Sequence, residues 1–417
     1  MVSPTVVFLL VGLLDMISVS LLASHLNNHE ETLGFNELQI GIVGAVFLGC
    51  QIISSPIIGS LGDVKGKKTI LLSSLFICSV SYFSLGITSS FIVYIALRAI
   101  IGSFQQVQVL TKTLAPDYFE DTNQLAALYG RSLSVSTLGL AIGSGLSKRI
   151  TEANPEGGFT ALCAILATLF MVNRSLINSL PENIIQKKEK SANAAKARAS
   201  TSILDTPKQT LRNLYCINWS SCWDILLFKF ILTLAMGQYY NNFNLFLDTH
   251  HSIDPSDLSY ILNFQRIVGS ICNNTVVYLN KLYKNDKDFS QRMFHIFILM
   301  TLSLLGLVLA PNVPLYIILI VPKALSFSLA KIVTLQVIVH RSKANNRGTL
   351  VGISNSIEHA SEIMTPVICG SINHFLGDSC ALYGGAIIAT IGVILSFSYT
   401  FKEQVQKKKV SIKKKKK

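Results

Sequence analysis

The chain has 417 residues, of which half are hydrophobic and only 14% are charged, whereas about a quarter of residues are charged in ordinary soluble domains. Its formal net charge is +13 and its mean hydropathy is +0.47, a composition that argues against a soluble protein and favours one embedded in a membrane. The eight cysteines form no CxxC pair, so the sequence predicts neither a disulfide framework nor a metal site.

Twelve apolar stretches are long enough to cross a membrane as helices, because a bilayer core about 30 Å thick needs about 20 apolar residues. In chain order they are 5–26, 36–60, 69–88, 91–111, 124–147, 158–180, 223–247, 257–280, 292–310, 313–339, 347–374 and 379–401. No basic segment precedes the first stretch and further spans follow it at once, so we expect it to remain in the mature protein.

The connections between these spans differ sharply in basic residues. Of the 36 lysines and arginines, 27 lie in the tail and in connections on the same side as residues 61–68, and two lie in the opposite connections. Because cytoplasmic loops carry the excess of basic residues, we expect both termini in the cytoplasm. The sequence predicts an all-α membrane protein with a six-helix bundle over 1–180, a cytoplasmic loop over 181–222, a second six-helix bundle over 223–401 and a basic tail over 402–417.

The string GSLGDVKGKK at residues 59–68 joins the second and third spans. Together with the twelve spans and the long central loop, it resembles the signature of the major facilitator superfamily, Gly-x-Leu-(Ala/Gly)-Asp-(Arg/Lys)-x-Gly-(Arg/Lys)-(Arg/Lys). The matching residues are Gly59, Leu61, Gly62, Asp63, Gly66, Lys67 and Lys68, while Val64 stands where a basic residue is usual. The resemblance implies two bundles that move a solute by alternating access.

Within that superfamily the first spans are most similar to the tetracycline/proton antiporters and to the animal group called major facilitator superfamily domain-containing protein 9. The shared residues are Leu13-Leu14-Asp15, Gln51, Pro56, Leu97-Arg98 and Gly102. Two antiporter features are missing: Gly139–Gly145 contains no proline, and Ser81 rather than an aspartate precedes Tyr82. These losses weaken the case for proton antiport and for a metal-chelated drug as substrate.

Ionisable residues inside the first six spans need a reason, because each costs about 2.5 to 3.5 kcal/mol at the bilayer centre. Asp15 lies near the expected midplane of the first span and is a candidate proton or substrate site; a structural tie to another span is the alternative. We expect Arg98 to pair with Asp15 or Asp63, either for coupling or as a permanent ion pair. Gln51 is a candidate cavity residue or a polar helix contact.

The second half carries its own charged cluster. Glu358 and Glu362 are four residues apart in the eleventh span and share a helical face, with His359 between them as a candidate proton carrier. Lys323 and Arg266 are their possible partners. A coupling or substrate cluster and a static ion-pair network both remain open.

An amide and aromatic string near the end of the seventh span includes Gln238, Tyr239 and Asn242. Such residues can line a substrate cavity through stacking and hydrogen bonds, although an interfacial tyrosine belt also explains Tyr239.

The loop at 59–68 also suggests a cytoplasmic gate. Gly59 and Gly62 would let the second span approach the eleventh closely, and Asp63 would lie at the positive helix end near Arg347 and Gly348. Gly66 would permit the tight turn, while Lys67 and Lys68 would anchor the loop on the cytoplasmic side.

The sequence therefore predicts a secondary active transporter of a small organic solute, with protons as the coupling ion, in the plasma membrane or an internal membrane. A receptor or scaffold that no longer transports is the alternative. No GxxxxGK(S/T) loop occurs, which disfavours an ATP-driven pump, and we expect no enzyme activity, cofactor, metal or nucleic-acid partner. The basic tail should contact anionic lipid headgroups, and the protein should function as a monomer.

Overall fold

The computed structural model describes residues 3–23, 25–119, 121–154, 157–181, 219–251, 253, 255–283, 286, 289–342, 346–376 and 383–398. In these ranges the regular elements are all helices and no strand occurs, so the predicted all-α class is confirmed. Most of the predicted central loop, residues 182–218, and the basic tail, residues 402–417, lie outside the described residues.

The helices of the first half are α1 (Pro4–Ala23), α2 (Leu26–Thr32), α3 (Glu37–Lys65), α4 (Lys67–Leu85), α5 (Phe91–Phe104), α6 (Val107–Leu114), α7 (Thr122–Ala153) and α8 (Gly158–Asn178), with a 3-10 turn at Ala115–Asp117 after α6. Those of the second half are α9 (Trp219–His251), α10 (Pro255–Asn273), α11 (Val276–Leu282), α12 (Ser290–Val308), α13 (Val313–Arg341), α14 (Arg347–Leu376) and α15 (Tyr383–Ser398).

Nine helical segments of the described chain are long and apolar enough to cross a membrane. They are Pro4–Thr32, Glu37–Lys65, Lys67–Leu85, Phe91–Asp117, Asn123–Ala153, Gly158–Asn178, Cys222–His251, Ser290–Val308 and Val313–Arg341. They coincide with the predicted spans one to seven, nine and ten, and make the chain an integral multi-pass membrane protein.

The other three predicted spans are helical but are built differently. The eighth is divided between α10 and α11, the eleventh is the 30-residue helix α14, and the twelfth contains the shorter apolar helix α15. Twelve membrane crossings therefore stay a prediction.

The chain divides into two compact units. The first unit is Met1–Ser221 with Ile338–His359, and the second unit is Cys222–Val337 with Ala360–Lys417. The first three turns of α14 thus belong to the first unit, although they follow the second half of the chain in sequence. The predicted bundle boundaries, 1–180 and 223–401, stay a prediction.

In the first unit, α1 packs closely against α7. A side-chain carbon added at Gly139 would lie 2.7 Å from the carbonyl oxygen of Leu13, and one at Gly143 would lie 2.6 Å from that of Ile17. Because these glycines leave no side chain between the helices, Ser20 Oγ reaches the carbonyl of Leu140 at 2.6 Å. This close contact encloses the middle of α1, where Asp15 lies.

In the second unit, α9 is tied by side-chain hydrogen bonds to α10, α13 and α14. Tyr239 Oη donates to Gln265 Oε1 at 2.9 Å, and Tyr316 Oη donates to Tyr239 Oη at 3.3 Å. Thr233 Oγ1 donates to Ser361 Oγ at 2.9 Å. The polar residues of α9 therefore face several neighbouring helices.

Candidate functional site

Asp63 lies in the last turns of α3 and holds the start of α14. Its Oδ1 accepts a hydrogen bond from Gly348 N at 2.9 Å, and its Oδ2 accepts from Thr349 N at 2.9 Å and from Thr349 Oγ1 at 3.0 Å. The first N–H groups of a helix have no partner within the helix and form its positive end, so one carboxylate satisfies two of them. Asp63 is thus next to Gly348, where the sequence predicted it.

A second carboxylate, Asp117, joins the same region. Lys67 Nζ lies 3.1 Å from both Asp117 carboxylate oxygens, and Arg347 Nη1 lies 3.5 Å from Asp117 Oδ1. These side chains are at most 16% exposed, so solvent screens the charges less than at an open surface. We call Asp63, Lys67, Asp117, Arg347, Gly348 and Thr349 the clasp.

Glycines bring the two helices of the clasp together. A side-chain carbon at Gly59 would collide with the carbonyl of Gly348, and one at Gly352 would collide with that of Ser55. Gly62 corrects our expectation, because its nearest neighbours are the Leu110 side chain of α6 and Lys67 rather than α14. At Gly66 the backbone has φ +98°, a conformation that favours glycine, so the predicted tight turn is observed.

Unlike Lys67, Lys68 binds backbone carbonyl groups rather than a carboxylate. Its Nζ donates to the carbonyl oxygens of Asn178 and Leu180 at 3.1 and 2.6 Å. It therefore ties the start of α4 to the end of α8, outside the clasp.

Asp15 is a buried carboxylate in the middle of α1. It is 3% exposed, and its Oδ1 has no hydrogen-bond partner among the described residues. Lys112 of α6 lies within electrostatic reach. A carboxylate that is enclosed but not fully bonded is suited to take up and release a proton or to accept a polar group of a ligand.

Among the described residues, no ion pair joins Arg98 of α5 to Asp15 or Asp63. Asp63 bonds to α14, and Glu30 of α2 is an acid within electrostatic reach of Arg98. The guanidinium carbon of Arg98 lies 4.2 Å from the centroid of the Phe47 ring. Gln51, also buried, lies one turn further along α3.

Sequence reasoning missed two carboxylates. Glu30 is only 1% exposed, but it follows the apolar stretch of the first predicted span and belongs to a predicted outer connection. Asp117 lies in the predicted inner connection 112–123. The available signal for Asp117 was its place in an inner connection that also faces the basic loop 61–68.

Lys323 of α13 is fully buried against two tyrosines of α9. Its Nζ lies 3.9 Å from the ring centroid of Tyr239 and 4.8 Å from that of Tyr240. No described residue forms a hydrogen bond with this Nζ, which corrects our expectation of an ion-pair partner. We call Lys323, Tyr239 and Tyr240 the lysine niche.

In the lysine niche, the free-energy cost of burying the ammonium ion exceeds what the aromatic contacts contribute. Moving an ammonium ion out of water costs several kcal/mol even after the protein relaxes. A desolvated cation–π contact returns about 2 kcal/mol. The rings alone therefore do not offset the burial of this charge.

The three predicted cavity residues of α9 divide between two faces. Gln238 and Asn242 are one helical turn apart and both contact Cys369 of α14: Cys369 Sγ donates to Gln238 Oε1 at 2.8 Å, and Asn242 Nδ2 lies 3.0 Å from Cys369 Sγ. Tyr239 instead faces α10 and α13. Successive residues of a helix point about 100° apart, so the structure does not bring all three together.

The remaining predicted residues lie on α14 and α10. Glu358 and His359 are half-buried, whereas Glu362 is exposed on the protein surface. His359 Nε2 lies 3.0 Å from Asn355 Nδ2. Arg266 is half-buried, with Nη1 3.5 Å from Asn263 Oδ1.

Comparison with known proteins places this geometry in context. Residues 6–285 match the sequence profile of the Major Facilitator Superfamily. The quinolone resistance protein NorA of Staphylococcus aureus (strain MSSA476) is 23% identical over 259 residues, which are 62% of this chain and 62% of that protein. The match thus spans less than two thirds of the relative's length.

Two solved structures share the fold. The crystal structure of the human organic anion transporter MFSD10 (TETRAN) has a TM-score of 0.73 at 15% identity and covers 94% of this chain and 98% of its own. The proton:xylose symporter XylE, bound to 6-bromo-6-deoxy-D-glucose, has a TM-score of 0.71 at 12% identity and covers 95% and 94%.

Proposed function

Because the chain belongs to the major facilitator superfamily, a family of transporters rather than enzymes, we propose that it moves a small organic solute across a membrane by alternating access, coupled to protons. Twelve spans in two bundles and cytoplasmic termini are part of the proposal, as is a monomer whose basic tail contacts anionic lipids. The similar proteins act in quinolone resistance, organic anion transport and proton:xylose symport, which supports a small organic solute and protons.

The observation that carries alternating access is the clasp. It joins α3 to α14 through a carboxylate at a helix end and through ion pairs, all of them contacts that water can replace when they separate. At Gly59 and Gly352 the same helices meet backbone to backbone, with no side chain between them. A contact of this kind supports a gate that closes and opens repeatedly.

Proton coupling is supported by Asp15. A carrier needs a group whose protonation is favourable in one state of the cycle and unfavourable in another, and a buried carboxylate next to a cation meets this need when the cation's distance changes. Asp15 with Lys112 is such a pair.

The test uses the full chain in proteoliposomes that enclose a pH-sensitive dye. Xylose, a quinolone, tetraphenylphosphonium and phenylacetate serve as neutral, zwitterionic, cationic and anionic solutes. We expect at least one to drive proton movement, and Asp15→Asn to abolish that movement while a thermal-shift assay still reports solute binding. Glu152→Gln, at an exposed surface pair with Lys148, is the matched control and should behave as the wild type.

Unchanged proton movement in Asp15→Asn would contradict the coupling role. A solute that binds but never crosses the bilayer would favour the receptor or scaffold alternative, toward which Val64 and the proline-free Gly139–Gly145 stretch point.

A further inference from the structure

The ammonium group of Lys323 is enclosed by aromatic carbon rather than by acceptors. The side chain is 0% exposed, two tyrosine rings lie within 5 Å of Nζ, and no described residue accepts a hydrogen bond from it. Burial favours the neutral amine, whereas the faces of aromatic rings and an anion beside the group favour the charged ammonium. When Lys323 is protonated, the niche therefore holds three N–H donors and a positive charge that the described residues do not neutralise.

The two tyrosines of the niche differ in their exposure and in their contacts. Tyr239 is fully buried, and its hydroxyl is bonded to Gln265 and Tyr316. Tyr240 is 45% exposed and contacts Phe327 edge to face, with ring centroids 6.3 Å apart. Tyr240 and Phe327 thus form a partly exposed aromatic wall beside the buried ammonium.

The surroundings of this wall are basic. Lys331 and Arg266 both lie within electrostatic reach of Tyr240, and Lys331 Nζ lies 5.1 Å from the ring centroid of Phe327. Clustered positive charge raises the local concentration of anions and steers them inward. A neutral or cationic solute would gain nothing from this arrangement.

We propose that Lys323 binds the carboxylate of a small organic anion whose planar apolar part lies against Tyr240 and Phe327. The carboxylate supplies the acceptors that the ammonium lacks, in a charge-assisted hydrogen bond, and the ring of the anion buries the exposed face of Tyr240. The inference rests on the proposed function, since the bound anion would be the transported solute.

The test measures binding to the purified full chain in detergent. Phenylacetate carries both charge and ring, and phenylacetamide carries the ring alone. We expect phenylacetate to raise the melting temperature of the wild type and phenylacetamide to leave it unchanged. Lys323→Met should weaken phenylacetate binding at least tenfold. Lys229→Met removes another mostly buried lysine of the same unit, ten residues before Tyr239 on α9, and should bind as the wild type does.

The stability of ligand-free Lys323→Met separates a binding role from a structural one. If the rings and Lys323 merely stabilise the fold, the variant melts at a lower temperature than the wild type; the proposal predicts a melting temperature that is equal or higher, because an uncompensated charge has been removed. Tyr240→Leu, at a half-exposed position, provides a second variant and should weaken phenylacetate binding several-fold with the fold retained.

Three outcomes would overturn the proposal: no shift of the wild type by phenylacetate, an equal shift by phenylacetamide, or unaltered binding by Lys323→Met. Carboxylate binding without flux would support the site at Lys323 and contradict the proposed transport function. Flux of a neutral or cationic solute without carboxylate binding would support transport and contradict the site.

Discussion

At the clasp, a single carboxylate satisfies three hydrogen-bond donors at the start of α14. Asp63 accepts three hydrogen bonds with two oxygens, from consecutive backbone N–H groups and a hydroxyl. An asparagine would keep one acceptor oxygen but would turn an NH2 group toward a backbone donor. Its lost negative charge also leaves the positive end of α14 without a counter-charge.

Asp63→Asn should therefore loosen the start of α14 without damaging solute binding. A charge at a helix end contributes about 1 kcal/mol, which is roughly a fivefold change in an equilibrium constant. We expect amide hydrogen exchange at Gly348 and Thr349 to accelerate by about that factor, and solute turnover to fall while affinity is kept.

Asp121→Asn provides the matched control, because Asp121 is exposed and caps its own helix by accepting from Asn123 N at 3.0 Å. Exchange at Gly348 and Thr349 should not change in this variant. If Asp63→Asn lost solute binding with normal exchange at those amides, the gating role would be wrong.

Among helices, the approach of α3 to α14 depends on positions that have no side chain. Gly352 lies directly against the carbonyl of Ser55, and Ser356 Oγ, one turn later, donates to the carbonyl of Ile52 at 2.5 Å. A branched side chain at Gly352 would have to displace backbone, which cannot yield as a flexible side chain can.

Gly352→Val should separate the two helices and break the clasp although all six of its residues are intact. We expect faster exchange at Gly348 and Thr349 together with loss of transport. Gly49→Val, on α3, is the control, since nothing lies within 4 Å of the carbon it would add and both variants carry the same small cost of valine in a helix. Normal transport by Gly352→Val would show that the close approach is not needed.

The positions of the helices could be predicted from the sequence, but the neighbours that each helix face contacts could not. The bilayer requires long apolar stretches, so every predicted span is helical in the described structure. Tertiary packing determines which face of a helix contacts which neighbouring helix. The local sequence does not contain this information. Gln238 and Tyr239 are adjacent in sequence yet face different helices, and Gly62 faces α6 instead of α14.

For the whole molecule, α14 contributes to both compact units: its residues up to His359 belong to the first unit and those from Ala360 belong to the second. A division inside one helix is not visible in a hydropathy pattern, and the predicted bundle boundaries stay a prediction. Within the first unit, the sequence did predict the contact of Asp63 with the start of α14, because a negative charge beside a helix N-terminus is a physical attraction that a motif can encode.

Orientation in the membrane is a prediction for the whole molecule. With 27 basic residues on one side and two on the other, the bias is strong enough to fix the direction of insertion. An epitope placed within 181–222, or appended to either end, should be digested by protease from the cytoplasmic side only. One inserted at 154–157 should be digested only from the opposite side, and the reverse pattern would refute this topology.

The clasp also has a consequence for time and populations. A difference of a few kcal/mol between two conformations leaves the minor one about 0.1 to 10% populated, and collective helix motions exchange such states within microseconds to milliseconds. If the clasp is the proposed gate and its release costs a few kcal/mol, thermal motion alone releases it many times a second. The resting protein is then a mixture of clasped and unclasped molecules. A reagent that binds only the unclasped form would shift the equilibrium until all molecules were unclasped, and it would not itself have to break a hydrogen bond of the clasp.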